Sequence, residues 1–267
     1  MCIYVYIILY MRTGGEIDMN KPIAEDTLVK DKKRGIIDFH SHILPGMDDG
    51  SKNLEMSLQI LDRMANSGVN TVLATSHFYG YKENAAHFLQ RREKAWQKLN
   101  PELKPEHPEV LLGAEVAFFS GLTKLSREEL DQLCLAGTRT LLVEMPFDAW
   151  TGYEIEVLSN LTLDKGYHVL LAHFERFVSF QSHSDIWDQV LELPIDLQIN
   201  AESLLPLFSR GKWLKWYKHG FLPVLGSDCH NLDSRPPNLM EARTILQKKF
   251  GTELLERIDR QGERLLR

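Results

Sequence analysis

From residue 35 onward the chain alternates between two hydrophobic periods. Short runs rich in Val, Ile and Leu are each followed by a longer segment whose apolar residues recur every three or four positions, with turn residues between. The first run, 35–39 ("GIIDF"), predicts a strand. Residues 53–67 predict a helix with Leu54, Leu58, Leu61 and Ala65 along one face, stopped by Gly68 as glycine stops helices just past their C-terminus. Further strands are predicted at 69–75 ("VNTVLAT"), 109–115 ("EVLLGAE"), 139–145 ("RTLLVEM"), 167–173 ("YHVLLAH"), 195–200 ("IDLQIN") and 221–228 ("FLPVLGSD"). Helices are predicted over 84–99, from Ser126, over 152–165 and 185–193, ahead of Gly220, and from 238 on; Ser126 and Glu129 have capping-box spacing. Seven such βα units without a linker-like break predict one α/β domain with a parallel sheet. A closed or nearly closed barrel fits best, with an open doubly wound sheet as the alternative. No glycine-rich phosphate loop follows the first strand, which counts against a Rossmann-type nucleotide site.

The polar residues that interrupt this pattern fall at equivalent places. His40 and His42 follow the first strand ("DFHSH"), His77 the second, Glu115 the third, Glu144 the fourth, His173 the fifth, and Asp228 and His230 the seventh. In a barrel these carboxyl ends converge on one face, where barrel enzymes place their chemistry. A single His or Glu at a strand end reads as an ordinary loop residue. Six of seven strands ending this way read as a metal site. Imidazole and carboxylate ligands suit divalent zinc, manganese or iron. Eight candidates, with Asp48 or Asp49 as a ninth, exceed what one zinc takes and predict two or three ions with shared carboxylates. Clustered ions of that kind serve phosphoester hydrolysis by activating water for direct attack on phosphorus. Arg176 and Arg235, three residues past His173 and five past His230, are candidate phosphate clamps.

Composition narrows the classes. A net charge of −6 argues against a nucleic-acid binder built on a basic face. Three scattered cysteines (Cys2, Cys134, Cys229) do not make a disulfide framework and fit a reducing, cytoplasmic setting. The apolar start "MCIYVYIILYM" is about half a membrane span. It lacks a preceding basic residue and a small-residue cleavage site. Residues 1–34 are therefore expected to be a loosely ordered extension, with Met11 or Met19 as alternative starts and a weak membrane anchor as the rival reading.

The segments "DFHSHILPGMDDGSKN", "ATSHF", "GAEV", "LLVEMPF", "LLAHFERF" and "SDCHNLDSRPP" together resemble the PHP (polymerase and histidinol phosphatase) family of metal-dependent phosphoesterases. The "DDG" segment and the "HN…RPP" ending resemble its bacterial protein-tyrosine-phosphatase branch from capsule and exopolysaccharide operons. The resemblance covers about residues 35–250. It implies a distorted (β/α)7 TIM-like barrel over 35–267 with a trinuclear site, commonly manganese-loaded, with Fe, Zn or Mg as alternatives. It implies one ion on His40, His42, Glu115 and Asp228, a second sharing Glu115 with Glu144 and His173, and a third on Asp49, His77 and His230. Arg176 and Arg235 resemble the family's phosphate-binding arginines, with Asp228 and His230 beside them in the catalytic set. The implied substrate is a phosphotyrosine protein, a bacterial autophosphorylating tyrosine kinase, with no nucleic acid and no stable membrane insertion. The chain departs from the family at Phe174, where proline is usual, and at Ser76 and Phe78 around His77, changes that bear on substrate contacts rather than on metal binding.

Three rivals follow from the same residues. Cys229 to Arg235 spells the C-x5-R of cysteine-dependent tyrosine phosphatases, but the stretch has no glycine for a phosphate loop and runs into Pro236 and Pro237. A metal-dependent hydrolase of a small phosphate monoester such as histidinol phosphate, or of another bond, is the second. A non-catalytic protein that keeps its metals for stability is the third.

Overall fold

The computed structural model describes residues 35–181 and 184–267. The expectations for residues 1–34, Cys2 included, lie outside the described residues. The strands are β1 (Ile37–Ser41), β2 (Thr71–Ala74), β3 (His77–Phe78), β4 (Glu109–Leu112), β5 (Glu115–Ala117), β6 (Thr140–Glu144), β7 (His168–Leu171), β8 (Ile195–Asn200) and β9 (Val224–Gly226). The α-helices are α1 (Leu54–Ser67), α2 (Ala85–Leu99), α3 (Arg127–Leu133), α4 (Gly152–Ser159), α5 (Ser184–Glu192), α6 (Arg210–Lys218), α7 (Leu239–Phe250) and α8 (Thr252–Leu265). Among the described residues no helix is long and apolar enough to cross a membrane.

All strand pairs are parallel. They run in the order β1-β2-β4 and β3-β5-β6-β7-β8-β9, a curled sheet in one mixed α/β domain. The second and third predicted strands are each broken in two. The breaks at Thr75–Ser76 and Gly113–Ala114 let His77 and Glu115 reopen as β3 and β5, paired with each other. Beyond the ladders, β9 returns to β1: the Asp228 amide donates to the His40 carbonyl at 2.7 Å and the His42 amide to the Cys229 carbonyl at 2.9 Å.

Most of the strands, β2, β6 and β8 among them, are buried on both faces, as expected of a parallel sheet. At their amino ends α8 closes the sheet. Leu265 and Leu266 pack with Ile37, Phe39, Leu142, Leu170 and Val224, and the Thr140 hydroxyl donates to the Leu265 carbonyl at 2.7 Å. The carboxyl ends are thereby left as the accessible end.

Several local expectations shift for stated reasons. The first strand runs two residues later than predicted, so His40 and Ser41 lie within it. The buried face of α1 is Ser57, Ile60, Leu61 and Met64, rotated from the predicted stripe, with Leu54 and Leu58 half-buried at its edge. The predicted 152–165 helix ends as an α-helix at Ser159 and widens into a π-turn over Asn160–Asp164. There the Thr162 hydroxyl bonds back to the Leu158 carbonyl at 2.8 Å. The last strand shortens to Val224–Gly226 because Pro223 has no N–H to give a ladder. The Ser126/Glu129 capping box forms, and Thr151 and Glu154 make a second.

Candidate metal centre

Strand alternation sends His40 and His42 to the same side of β1. Gln198, from β8, holds the first: its Oε1 accepts from the His40 Nδ1–H at 3.0 Å and from the His173 amide at 2.8 Å. Asp48 holds the second, its Oδ2 accepting from the His42 Nδ1–H at 2.8 Å and from the His77 amide at 2.9 Å. With both Nδ1 atoms donating, both Nε2 atoms are lone pairs, and they face each other at 3.1 Å. Glu115 Oε2 lies 3.1 and 3.3 Å from them, and Asp228 Oδ1 3.5 and 3.4 Å. Four acceptors with no donor among them, all buried, are a cation site by elementary electrostatics.

The remaining candidates extend the cluster. Glu115 Oε2 is 3.0 Å from His77 Nδ1, and Glu115 Oε1 is 2.9 Å from His173 Nε2, which lies 3.3 Å from Glu144. Asp49 Oδ1 stands 3.6 Å from His77 Nε2 and 3.5 Å from His230 Nε2. The His230 Nδ1–H donates to the Asp228 carbonyl at 2.9 Å, leaving its Nε2 buried and without a hydrogen-bond partner. Ligand-type atoms gather in four overlapping groups: His42, Asp49, His77 and His230; His40, Glu115 and His173; His40, His42 and Asp228; and His77, Glu115 and Glu144. All nine residues singled out from the sequence meet here. The groups share members more than the implied sets do, with His42 also beside Asp49 and Glu144 also beside His77.

The chain is shaped closely around this cluster. A Cβ on Gly50 would lie 2.3 Å from His42, and one on Gly226 would lie 2.5 Å from His40. Three non-glycine residues among the described ones have positive φ. Two of them are His173 at 29° and Asp228 at 51°, a distortion worth on the order of 1–3 kcal/mol each. Outside the cluster, Arg176 and Arg235 donate to Asp228 Oδ2 at 2.8 and 2.6 Å, and Asn200 Nδ2 donates to the same atom at 2.8 Å. Asp228 thus stands between the imidazoles on one oxygen and the two guanidinium groups on the other.

In the ion-free protein, protons take the cations' place. Burial disfavours the charged form of His42, but Asp48, Asp228 and Glu115 outweigh it and hold its pKa well above the ordinary value. His173, against the same burial penalty, is raised to about 9 by hydrogen bonds to Glu115 and Glu144. Burial would raise Glu115 and Asp228, but the surrounding histidines hold both well below the carboxylate range. His230, buried beside His42, is lowered to about 4.

Ion entry must therefore expel protons. The apparent affinity for a divalent ion rises with pH up to about 9, by about tenfold per pH unit for each proton released. Titration calorimetry in buffers of different ionisation enthalpy reads that proton count. The metal-free protein is stabilised by protonated His173 below its unfolded value of 6.5 and loses that contribution as pH rises through about 9.

The sixth strand is the one that ends without an imidazole or carboxylate in the sequence. It supplies amides instead: Gln198 and Asn200, two apart and both buried, with Gln198 Nε2 donating to Asn200 Oδ1 at 2.9 Å. Their period-two spacing was the available signal. Gln198→Leu is expected to lower metal affinity roughly 10–100-fold through the lost orientation of His40. Competition with a chelating dye measures it, and unchanged affinity would remove Gln198 from the site.

The C-x5-R segment is not a phosphate loop. Cys229 is buried and its thiol is pushed up to about 12 by burial. The amides of Asp233, Ser234 and Arg235 all donate to Asn231 Oδ1, at 3.0, 2.8 and 3.0 Å. Two of the departures are buried in the core: Phe174 packs on Trp216 at 4.8 Å and Phe78 on Phe88 at 5.3 Å. Cys134 and Cys229 are both free.

A curled parallel sheet with nine imidazole and carboxylate side chains converging at its carboxyl ends defines an α/β protein with a clustered set of residues able to hold divalent metal. The sequence profile described as capsular polysaccharide synthesis, CpsB/CapC, matches residues 36–266, and the chain belongs to this family. It is 31% identical over 240 residues to the tyrosine-protein phosphatase YwqE of Bacillus subtilis, covering 87% of this chain and 92% of that protein. It is 32% identical over 235 residues to the tyrosine-protein phosphatase CpsB of Streptococcus pneumoniae, covering 82% and 92%. A chain from the crystal structures of YwqE and CpsB, described as metal-dependent tyrosine phosphatases, superposes with a TM-score of 0.73 at 28% identity, covering 86% of this chain and 94% of that one.

Proposed function

We propose that this chain is a divalent-metal-dependent phosphatase of phosphotyrosine in proteins. The observation that carries the reading is the buried pair of facing His40 and His42 Nε2 atoms with Glu115 and Asp228, next to two arginines that meet on Asp228. The relatives' activity and the family's tie to capsule synthesis support it. The fold is read as a distorted (β/α)7 barrel over 35–267, a reading supported by the β9–β1 backbone bonds and by the two split strands each counting as one. The centre is read as holding two or three ions, Mn2+ first and Fe, Zn or Mg as alternatives. One is assigned to His40, His42, Glu115 and Asp228, one to Glu115, Glu144 and His173, and one to Asp49, His77 and His230. The substrate is read as a bacterial tyrosine autokinase of capsule or exopolysaccharide synthesis, met in the cytoplasm.

Bound divalent ions supply a lowered pKa of water and neutralisation of phosphoryl oxygens. The chain's own residues do the rest. Gln198 and Asp48 accept from the Nδ1–H of His40 and His42, so that Nε2 is the atom each ring offers to an ion. Arg176 and Arg235, both on loops after strand ends and both partly exposed, present guanidinium forks to the phosphoryl group. Their shared hold on Asp228 keeps them in place before substrate arrives. A tyrosinate leaves with a pKa of about 10, so its departure needs little proton donation.

The test is turnover of a phosphotyrosine peptide against histidinol phosphate, with metal content measured on the same sample. Preference for the peptide by a metal-loaded protein is the expected result. Preference for histidinol phosphate would move the chain to the small-molecule alternative, and metal without turnover would make it a binding protein.

A further inference from the structure

The loops around the metal centre carry both cationic and aromatic side chains. The loops after β7 and β9 bring the cations Arg176 and Arg235, while the loops after β3 and β6 bring Tyr79 and Phe147. The two aromatic residues stack on candidate ligands at opposite ends of the histidine cluster. Tyr79 lies on His77 (centroids 5.0 Å, interplanar 22°) and Phe147 on His173 (6.1 Å, 22°).

They differ in what remains free. The Lys82 ammonium sits 4.1 Å from the Tyr79 centroid, so with His77 stacked on it that ring is already engaged. Phe147 has His173 against its ring and Phe177 tilted beside it at 5.0 Å, yet it is 50% exposed. A half-exposed phenylalanine loses hydrophobic stabilisation unless something covers it. Its loop is also held in advance: the Trp150 indole N–H donates to the Pro146 carbonyl at 3.1 Å, and the Trp150 amide to Gln181 Oε1 at 2.9 Å.

We propose that Phe147 is a specificity-determining residue that receives the aryl ring of the substrate, so that the phosphoryl group lies toward Arg176 and Arg235 and the ring toward the aromatic side of the rim. The proposal rests on the phosphotyrosine reading and adds to it the residue that tells an aryl ester from an alkyl one. Ring-on-ring contact contributes beyond the area it buries, and an alkyl phosphate cannot make it.

Phenylphosphonate and methylphosphonate carry the same charged head and differ in the ring. Their dissociation constants on the divalent-metal-loaded protein, read by titration calorimetry, test the proposal without turnover. Wild type is expected to bind phenylphosphonate more tightly. Phe147→Ala should weaken phenylphosphonate about fivefold and leave methylphosphonate unchanged. Phe147→Tyr should restore the difference, with metal content constant throughout. Equal weakening of both ligands would mean that Phe147 only supports His173, and would overturn the proposal. Equal binding of both by wild type, or no effect of Phe147→Ala, would also overturn it while leaving the phosphatase reading intact. If wild type binds neither and leaves phosphotyrosine peptide untouched, the phosphatase reading itself fails and this proposal with it.

Discussion

Glu115→Gln is expected to lower turnover on a phosphotyrosine peptide by about 10³-fold or more, since even one lost donor to a developing oxyanion costs about 10²–10³. The substitution keeps the shape of the side chain and removes its charge. Glu115 is fully buried, with Oε2 within 3.3 Å of ring nitrogens of His40, His42 and His77, and Oε1 2.9 Å from His173. Among the described residues it is the one carboxylate within 3.3 Å of four imidazoles, so neutralising it is expected to weaken metal binding across the cluster. A glutamine would also present an NH2 donor to the imidazole lone pairs and so compete with an ion for them. Elemental analysis should show a lower metal content, and circular dichroism should show a folded protein. A folded Glu115→Gln protein with near-wild-type turnover at full metal content would end the assignment of Glu115 as the shared ligand.

Chelation is expected to remove turnover completely and added Mn2+ to return it, while Cys229→Ser stays as active as wild type. The two results together separate the metal reading from the thiolate reading. A thiolate nucleophile needs a depressed pKa and a cradle of backbone amides. Here burial raises the Cys229 thiol to about 12, and the loop amides are spent on Asn231. Activity that survives exhaustive chelation, or that vanishes in a folded, metal-loaded Cys229→Ser protein, would reverse the conclusion.

The two experiments differ in how far the sequence alone leads to them. The strand-end positions of His40, His42, His77, Glu115, Glu144, His173, Asp228 and His230 are legible because apolar runs announce strands and six of the seven runs lead into one of these residues. The division of labour in "DDG" is not. Asp48 turns inward to orient His42 and the backbone of His77, while Asp49 reaches His77 and His230 from a side chain that is 64% exposed. Adjacent aspartates have the same chemistry, and only the turn enforced by the close approach of Gly50 to His42 tells them apart.

Gln198 and Asn200 are not legible as site residues because amides are not first-choice metal ligands; their contacts are with His40 and Asp228. Phe174, where the family usually has proline, directly follows His173 in the sequence. The turn at His173 sends it into a packed aromatic core.

The sequence by itself determined the identities of the candidate imidazole and carboxylate residues and their place at the ends of successive strands. Those properties depend only on local spacing, on period two along a strand and on the punctuation between strand and helix. Only the tertiary structure decided which atoms face which. That Glu115 stands among four histidines, that Arg176 and Arg235 meet on one oxygen of Asp228, and that Phe147 stays half-exposed beside His173 are matters of strand register and loop direction. All but the Arg235–Asp228 pair are contacts between residues tens of positions apart. Their distances are set by how the strands stack around the core, which no local pattern encodes.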